Sequence, residues 1–211
     1  MNIVERMNML AHLGAGWVLW ALVAASVAAV AIVIERAAVL VASRDDLEAL
    51  RARLRELLQR GEVEPARRLL EESPSFEARV AAAGLGAPDA VAARERIAGE
   101  SQLVRLTLER RLVYLGTLGN NAPFVGLLGT VIGIIRAFGE LETSGGQVST
   151  RLMGEIGEAL VATAVGLLVA LPAVAAFNLL QRVVRTRLAR AEALAHEVVA
   201  GAPATVATEA R

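Results

Sequence analysis

"GNNAPFVGLLGTVIGIIRAF", residues Gly119 to Phe138, is apolar enough for lipid yet carries two asparagines, a proline, a threonine and four glycines. Helices in a bilayer gain nothing from hydrophobic burial against one another, so they associate by van der Waals contact, and small residues let their backbones approach. In heptads, Gly116, Pro123, Thr130 and Ala137 fall on one position and Gly119, Gly126 and Gly133 on another, which gathers the small and helix-breaking residues into one seam. Two readings of the seam stay open here: ordinary glycine-mediated helix packing, and the wall of a pore. Asn120, Asn121 and Pro123 lie deeper than interface anchors should. An amide at that depth is tolerated where it faces protein or a water-filled cavity.

The rest of the chain agrees with lipid as the solvent. Of 211 residues 55% are hydrophobic and only 3% aromatic, with mean hydropathy +0.50, the aliphatic excess of a membrane protein. Three runs hold no charge: Leu13 to Ile34, Leu112 to Ile135 and Ala159 to Gln181. Each reaches the roughly 20 residues needed to cross about 30 Å of hydrocarbon, so an all-α protein with three transmembrane helices is expected. The first run reads as an anchor rather than a cleaved signal: it exceeds the roughly 7–15 apolar residues of a signal core, and Glu5 balances Arg6 before it. All basic residues are arginine, fourteen of the 22 between Arg36 and Arg111 and five from Arg182 onward, with only Arg6, Arg136 and Arg151 elsewhere. By the positive-inside rule the N-terminus lies outside and the C-terminus inside.

Composition also excludes function classes. A net charge of +0 argues against nucleic acid as partner. With no cysteine there is no disulfide or thiolate site, and the two histidines, His12 and His196, lie outside the apolar runs. No catalytic residue, metal or cofactor is therefore expected. A solute transporter is disfavoured because no paired repeat of broken helices is visible.

Between the first two spans, "SRDDLEALRARLRELLQRGEVEPARRLLEES" reads as two amphipathic helices. Ser43 caps the first, Leu47, Leu50, Leu54 and Leu57 share its face, Gly61 ends it, and Pro65 fits the first turn of the second. Glycine and proline recur at Gly84 to Asp89. From Asp89 no strong stop appears until about Phe138, so the second span is expected to continue inward as one helix of about fifty residues, with Gly99 its weak point. The third span extends through Leu188 and Leu194 toward Val199, before "GAPATVATEAR" reads as a disordered tail.

Glu155 and Glu158 open the third span, whose surface is again small, with Gly166 and Pro172 continuing the seam and Asn178 polar near its end. In antiparallel spans, Thr130 lies about five residues before the outer end of the second and Thr163 about four after the start of the third, so both hydroxyls sit some 6–8 Å below the outer boundary. They can line one pathway, or each can bond the preceding turn of its own helix. Glu158 is either a boundary residue or an ion-path residue. Five residues from Thr163, it points about 140° away on a regular helix, so the two cannot both face one narrow pore squarely.

"NNAPFVGLLGTVIGIIRAF" and "IGEALVATAVGLLVALPAVAAFN" (Ile156 to Asn178) resemble the second- and third-span signatures of the ExbB/TolQ/MotA proton-channel subunits of bacterial inner-membrane motors, and "VIER" at Val33 to Arg36 agrees. The resemblance covers the three-span layout throughout and motifs over about a quarter of the chain; the short outer N-terminus looks more TolQ-like than ExbB-like. It implies a homopentameric ring whose second and third spans surround a central pore holding the helices of a dimeric, single-span ExbD/TolR-like partner, with a TonB/TolA-like protein beyond. Thr130, Thr163 and Glu158 would be polar wall residues of the proton path, the partner's aspartate the principal carrier. The layout is then a periplasmic N-terminus at 1–12, spans at 13–34, 112–135 and 159–181, a cytoplasmic helical domain at 35–111, a periplasmic loop at 136–158, and a cytoplasmic C-terminal helix and tail at 182–211. Arg136 departs from the uncharged residue expected before "AF". A non-conducting scaffold is the competing reading.

Overall fold

The computed structural model describes residues 16–201. His12, the start of the first apolar run, the N-terminal segment 1–12 and the tail after Gly201 lie outside the described residues. Those described form seven helices and no strand: α1 (Gly16–Ala42), α2 (Leu47–Gln59), α3 (Val63–Glu72), α4 (Phe76–Ala82), α5 (Ala90–Glu109), α6 (Leu112–Thr143) and α7 (Thr150–Ala200). Helices α1, α6 and α7 are long and apolar enough to cross a membrane. The chain divides into two compact units, one of residues up to Ile34 with Arg111–Leu179, the other of Glu35–Arg110 with the residues from Leu180.

In the first unit α1, α6 and α7 share a core of Val18, Leu22, Ala122, Ile132, Val169 and Ala170, with Leu118, Val125 and Val165 packed on it. Leucines and valines on the opposite faces, among them Leu127, Leu160, Leu168 and Leu171, are exposed, as suits helices whose outer solvent is hydrocarbon. The stretch 136–158, expected as a loop, is helical except between Thr143 and Thr150. The turn is compact because Gly145 and Gly146 take φ of 63° and 84°, a region glycine enters without a Cβ penalty. That lets the Gly146 N–H reach back to Leu141 O at 2.9 Å, closing α6 in the manner of a Schellman cap. The Ser149 hydroxyl, accepting from Leu152 N at 3.1 Å, then starts α7.

The second unit is built from short amphipathic helices. Leu50 and Leu54 of α2, Ala66 and Leu70 of α3, and Ala78 and Val80 of α4 are buried. Gly61, at φ 73°, ends α2, and Pro65 lies in the first turn of α3. The cap of α2 is not Ser43: Asp46 accepts from the backbone N–H of Glu48 and Ala49, because α1 itself runs to Ala42 and leaves Ser43 in its last turn, donating to Leu40 O. Ser75 and Asp89 cap α4 and α5.

The expected helix of about fifty residues is two helices. Arg110 leaves the helical region at ψ 131° and Arg111 is left-handed at φ 69°, a conformation that costs a non-glycine residue about 1–2 kcal/mol. Tertiary packing overrides the local preference: Leu108, Leu112 and Leu115, flanking the break, are all buried. A carbonyl that the break strands, Thr107 O, accepts from Arg36 Nη1 at 3.1 Å. Gly99 stays helical, inside α5. The third long helix does run unbroken to Ala200.

Candidate functional site: the threonine pair between α6 and α7

The glycines of the seam turn toward α7. A Cβ on Gly126 would stand 2.7 Å from Ala162 O and 3.1 Å from Gly166 Cα, and one on Gly166 2.7 Å from Ala122 O. The two glycines therefore sit face to face, backbone on backbone. Gly119 lies against Val174, Gly116 against the Phe177 ring and Gly133 against Ala159. These contacts pack Gly116, Gly119, Gly126, Gly133 and Gly166 against the facing helix. Pro123 is half-buried and Pro172 exposed. Gly129, which the heptad reading passed over, meets Ala162 and also Val18 of α1; its four-residue spacing to Gly133, a small-xxx-small pattern, was the available signal.

This proximity brings the two threonines together. Thr130 and Thr163 are hydrogen-bonded hydroxyl to hydroxyl, a contact that equal depth in antiparallel helices allows. Thr130 Oγ1 also lies 3.1 Å from Ala159 O and 3.4 Å from Gly126 O, and Thr163 Oγ1 3.2 Å from Gly126 O. Each hydroxyl has one proton and can accept, so the pair satisfies itself in two ways. Thr163 donates to Thr130, which donates to Ala159 O; or Thr130 donates to Thr163, which donates to Gly126 O. The chain of bonds can thus reverse direction without moving a heavy atom. Both side chains are half-buried.

Glu158 does not join them. Its Oε1 lies 3.4 Å from where a Gly16 Cβ would be, toward α1, in keeping with the angular argument. Arg136 forms an ion pair with Glu155 at 2.9 Å, a partner the sequence reading did not assign, and Arg151 pairs with Glu140 at 3.1 Å. Asn120, Asn121 and Asn178 are exposed on the single chain; Asn121 donates to Thr117 O at 2.7 Å.

Three apolar helices, two of them locked by facing glycines around a half-buried hydroxyl pair, define an integral membrane protein of helical type. The profile of the MotA/TolQ/ExbB proton channel family matches residues 72–193, more than half the chain, and the chain belongs to that family. It is 43% identical over 91 residues to biopolymer transport protein ExbB of Xanthomonas campestris pv. campestris, covering 43% of this chain and 36% of that one. With ExbB of Neisseria gonorrhoeae the identity is 46% over 84 residues, 40% of this chain and 38% of the relative. With that of Aquifex aeolicus it is 40% over 100 residues, 47% and 67%. The matched stretches thus span from 36% to 67% of these curated relatives' own lengths. The family is one of membrane transport and channel proteins rather than of enzymes.

Proposed function

We propose that the chain is the channel and stator subunit of an ExbB–ExbD or TolQ–TolR type motor in the bacterial inner membrane, turning proton-motive force into mechanical work on the cell envelope. Five copies enclose a pore that holds a dimer of a single-span ExbD/TolR-like partner, and the output passes to a TonB/TolA-like protein in uptake, envelope maintenance or gliding-type motility. The N-terminus is periplasmic and the C-terminus cytoplasmic. Thr130 and Thr163 line the proton path, with Glu158 beside it toward α1. The observation that carries this reading is the hydroxyl pair itself, polar and reversible in direction, held at one level between two spans. The exposed amides of Asn120, Asn121 and Asn178 support it, since at membrane depth they need a neighbouring subunit or water. A proton crossing 100 mV releases about 2.3 kcal/mol, enough over several steps to drive rearrangement of one subunit set within another.

The test is proton flux into vesicles holding this chain with its neighbouring partner protein. Partner-dependent flux is expected, and Thr130→Val or Thr163→Val is expected to lower it about tenfold, the effect of losing ~1.4 kcal/mol from the rate-limiting state, while subunit number stays native. Native flux in both variants would reduce the threonines to helix packing, and no flux above background would leave a scaffold.

A further inference from the structure

On the side of α7 that packs on α6, an acid lies about two turns from the threonine pair, toward the α6–α7 turn, and it is not Glu158. On α7, Glu155, Ala159 and Thr163 follow at four-residue intervals, so they stack turn upon turn on one face. Three contacts show that this face is turned to α6. A Cβ on Gly133 would meet Glu155 O at 3.3 Å and the Ala159 side chain; Ala159 O is 3.1 Å from Thr130 Oγ1; and Arg136 Nη2 is 2.9 Å from Glu155 Oε1. The Glu155 side chain is 11% exposed, and its Oε2 is buried and meets no hydrogen-bond partner among the described residues. A carboxylate oxygen stranded in this way is costly. With Oε1 held by Arg136, Oε2 is the oxygen of this carboxyl left open to a proton.

We infer that Glu155 is a further proton-exchanging residue of the ion path, standing at the end of the threonine pair nearest the turn between α6 and α7, with Arg136 as its fixed counter-charge. The inference rests on the reading under Proposed function, in which that end is the outer one. A proton from the outer aqueous side adds to Oε2 to give the neutral acid beside Arg136, and its release restores the ion pair; only an O–H bond is made and broken. The site suits a proton and not a metal cation. Oε1 is already occupied by a guanidinium, and one remaining oxygen falls far short of the six or so that hard cations collect. The charged groups around it are Arg136 from α6 and, on its own helix, Arg151 and Glu158 about one turn to either side. Arg151 is engaged by Glu140, and α1 presents Gly16 to Glu158.

In vesicles holding the complete complex, Glu155→Gln is expected to lower partner-dependent proton flux about tenfold, and Glu155→Asp, which keeps a titratable acid, to retain most of it. Arg136→Gln, which removes the cation paired with Oε1, is expected to change the pH profile of partner-dependent flux. Native flux in Glu155→Gln while Thr130→Val still lowers it overturns the inference and leaves the proposed function standing. So does equal loss in the Gln and Asp variants from complexes of native subunit number, which marks packing, and so does an unmoved pH profile in Arg136→Gln. Absence of partner-dependent flux in the native complex overturns the underlying reading instead.

Discussion

One methyl group separates the glycines of the seam from alanine, and its cost depends on what it would touch. At Gly126 it would meet the backbone at Ala162 O, Gly166 Cα and Thr163 Cα, none of which can turn aside as a side chain can. Gly126→Ala is therefore expected to lose about 1–3 kcal/mol by overpacking and to part the two hydroxyls. At Gly99, inside α5, an added Cβ has nothing within 4 Å, so Gly99→Ala is expected to gain about 0.5–1 kcal/mol through helix propensity. Thermal unfolding in detergent, followed by circular dichroism, should move the two midpoints in opposite directions; equal shifts would mean the seam is looser than described. The same contrast explains what could be read from the letters. The threonine pair was legible because the ends of two uncharged runs and a fixed rise per residue set the depth of each hydroxyl. The acid beside it was not, because direction around the helix decides it. Glu155 is about 80° from Thr163 and Glu158 about 140°, and only the contacts with Gly133 and Arg136 show which of them faces α6.

Among the helices, apolar length was the strongest signal: each of the three uncharged runs overlaps one of the long helices, and the extension of α7 to Ala200 followed from its continuing pattern. The break at Arg110 and Arg111 was invisible. No glycine or proline marks it, arginine and leucine are good helix formers, and the deciding terms are the burial of Leu108 and Leu112 and the reach of Arg36 to Thr107 O, all set by packing. Ion pairing between helices is similarly nonlocal. Glu197 near the end of α7 accepts from Arg55 Nε and Nη2 at 2.9 and 2.6 Å and from Arg51 Nε at 2.8 Å, tying α7 to α2. The Arg55 hydrogen bonds, helped by Arg51 and opposed by burial, hold its carboxyl at about 2, below the ordinary 4.5. A depressed carboxylate stabilises fully above its unfolded value, so this tie is complete above pH 4.5 and fades as pH falls through 2. Both arginines are half exposed, so solvent screening keeps the contribution small. Glu197→Gln should lower the thermal midpoint at pH 7, and the gap from the native protein should close between pH 4.5 and 2. A gap constant with pH would show that the tie contributes nothing.

The second unit is organised by a residue that sequence alone would have placed in water. Arg187 sits on a helix of mixed polarity among four other arginines of the C-terminal region, yet it is only 7% exposed. Its Nη1 donates to Ser43 O at 2.8 Å and to Glu77 Oε2 at 3.1 Å, and its Nη2 to Leu40 O at 2.6 Å. One guanidinium thus gathers the carboxyl end of α1, helix α4 and α7. It satisfies carbonyls that a helix end leaves open, and cations are favoured at such ends by the helix dipole. Glu77, 1% exposed, is buried against Arg187, its ion-pair partner at 3.1 Å. Arg187→Met keeps most of the volume but strands the Glu77 carboxyl and the Ser43 carbonyl, and breaking a buried pair from one side costs about 3–5 kcal/mol. Adding Glu77→Leu removes the unpaired charge and should recover part of the loss. Recovery should stop short of native stability because Ser43 O still lacks the donor that Arg187 supplies. Hydrogen exchange of the α4 amides measures this directly: fastest in Arg187→Met, intermediate in the double variant, slowest in the native chain. Native protection in Arg187→Met would mean that the apolar contacts of Leu54, Leu70 and Val80 hold the unit without its buried arginine.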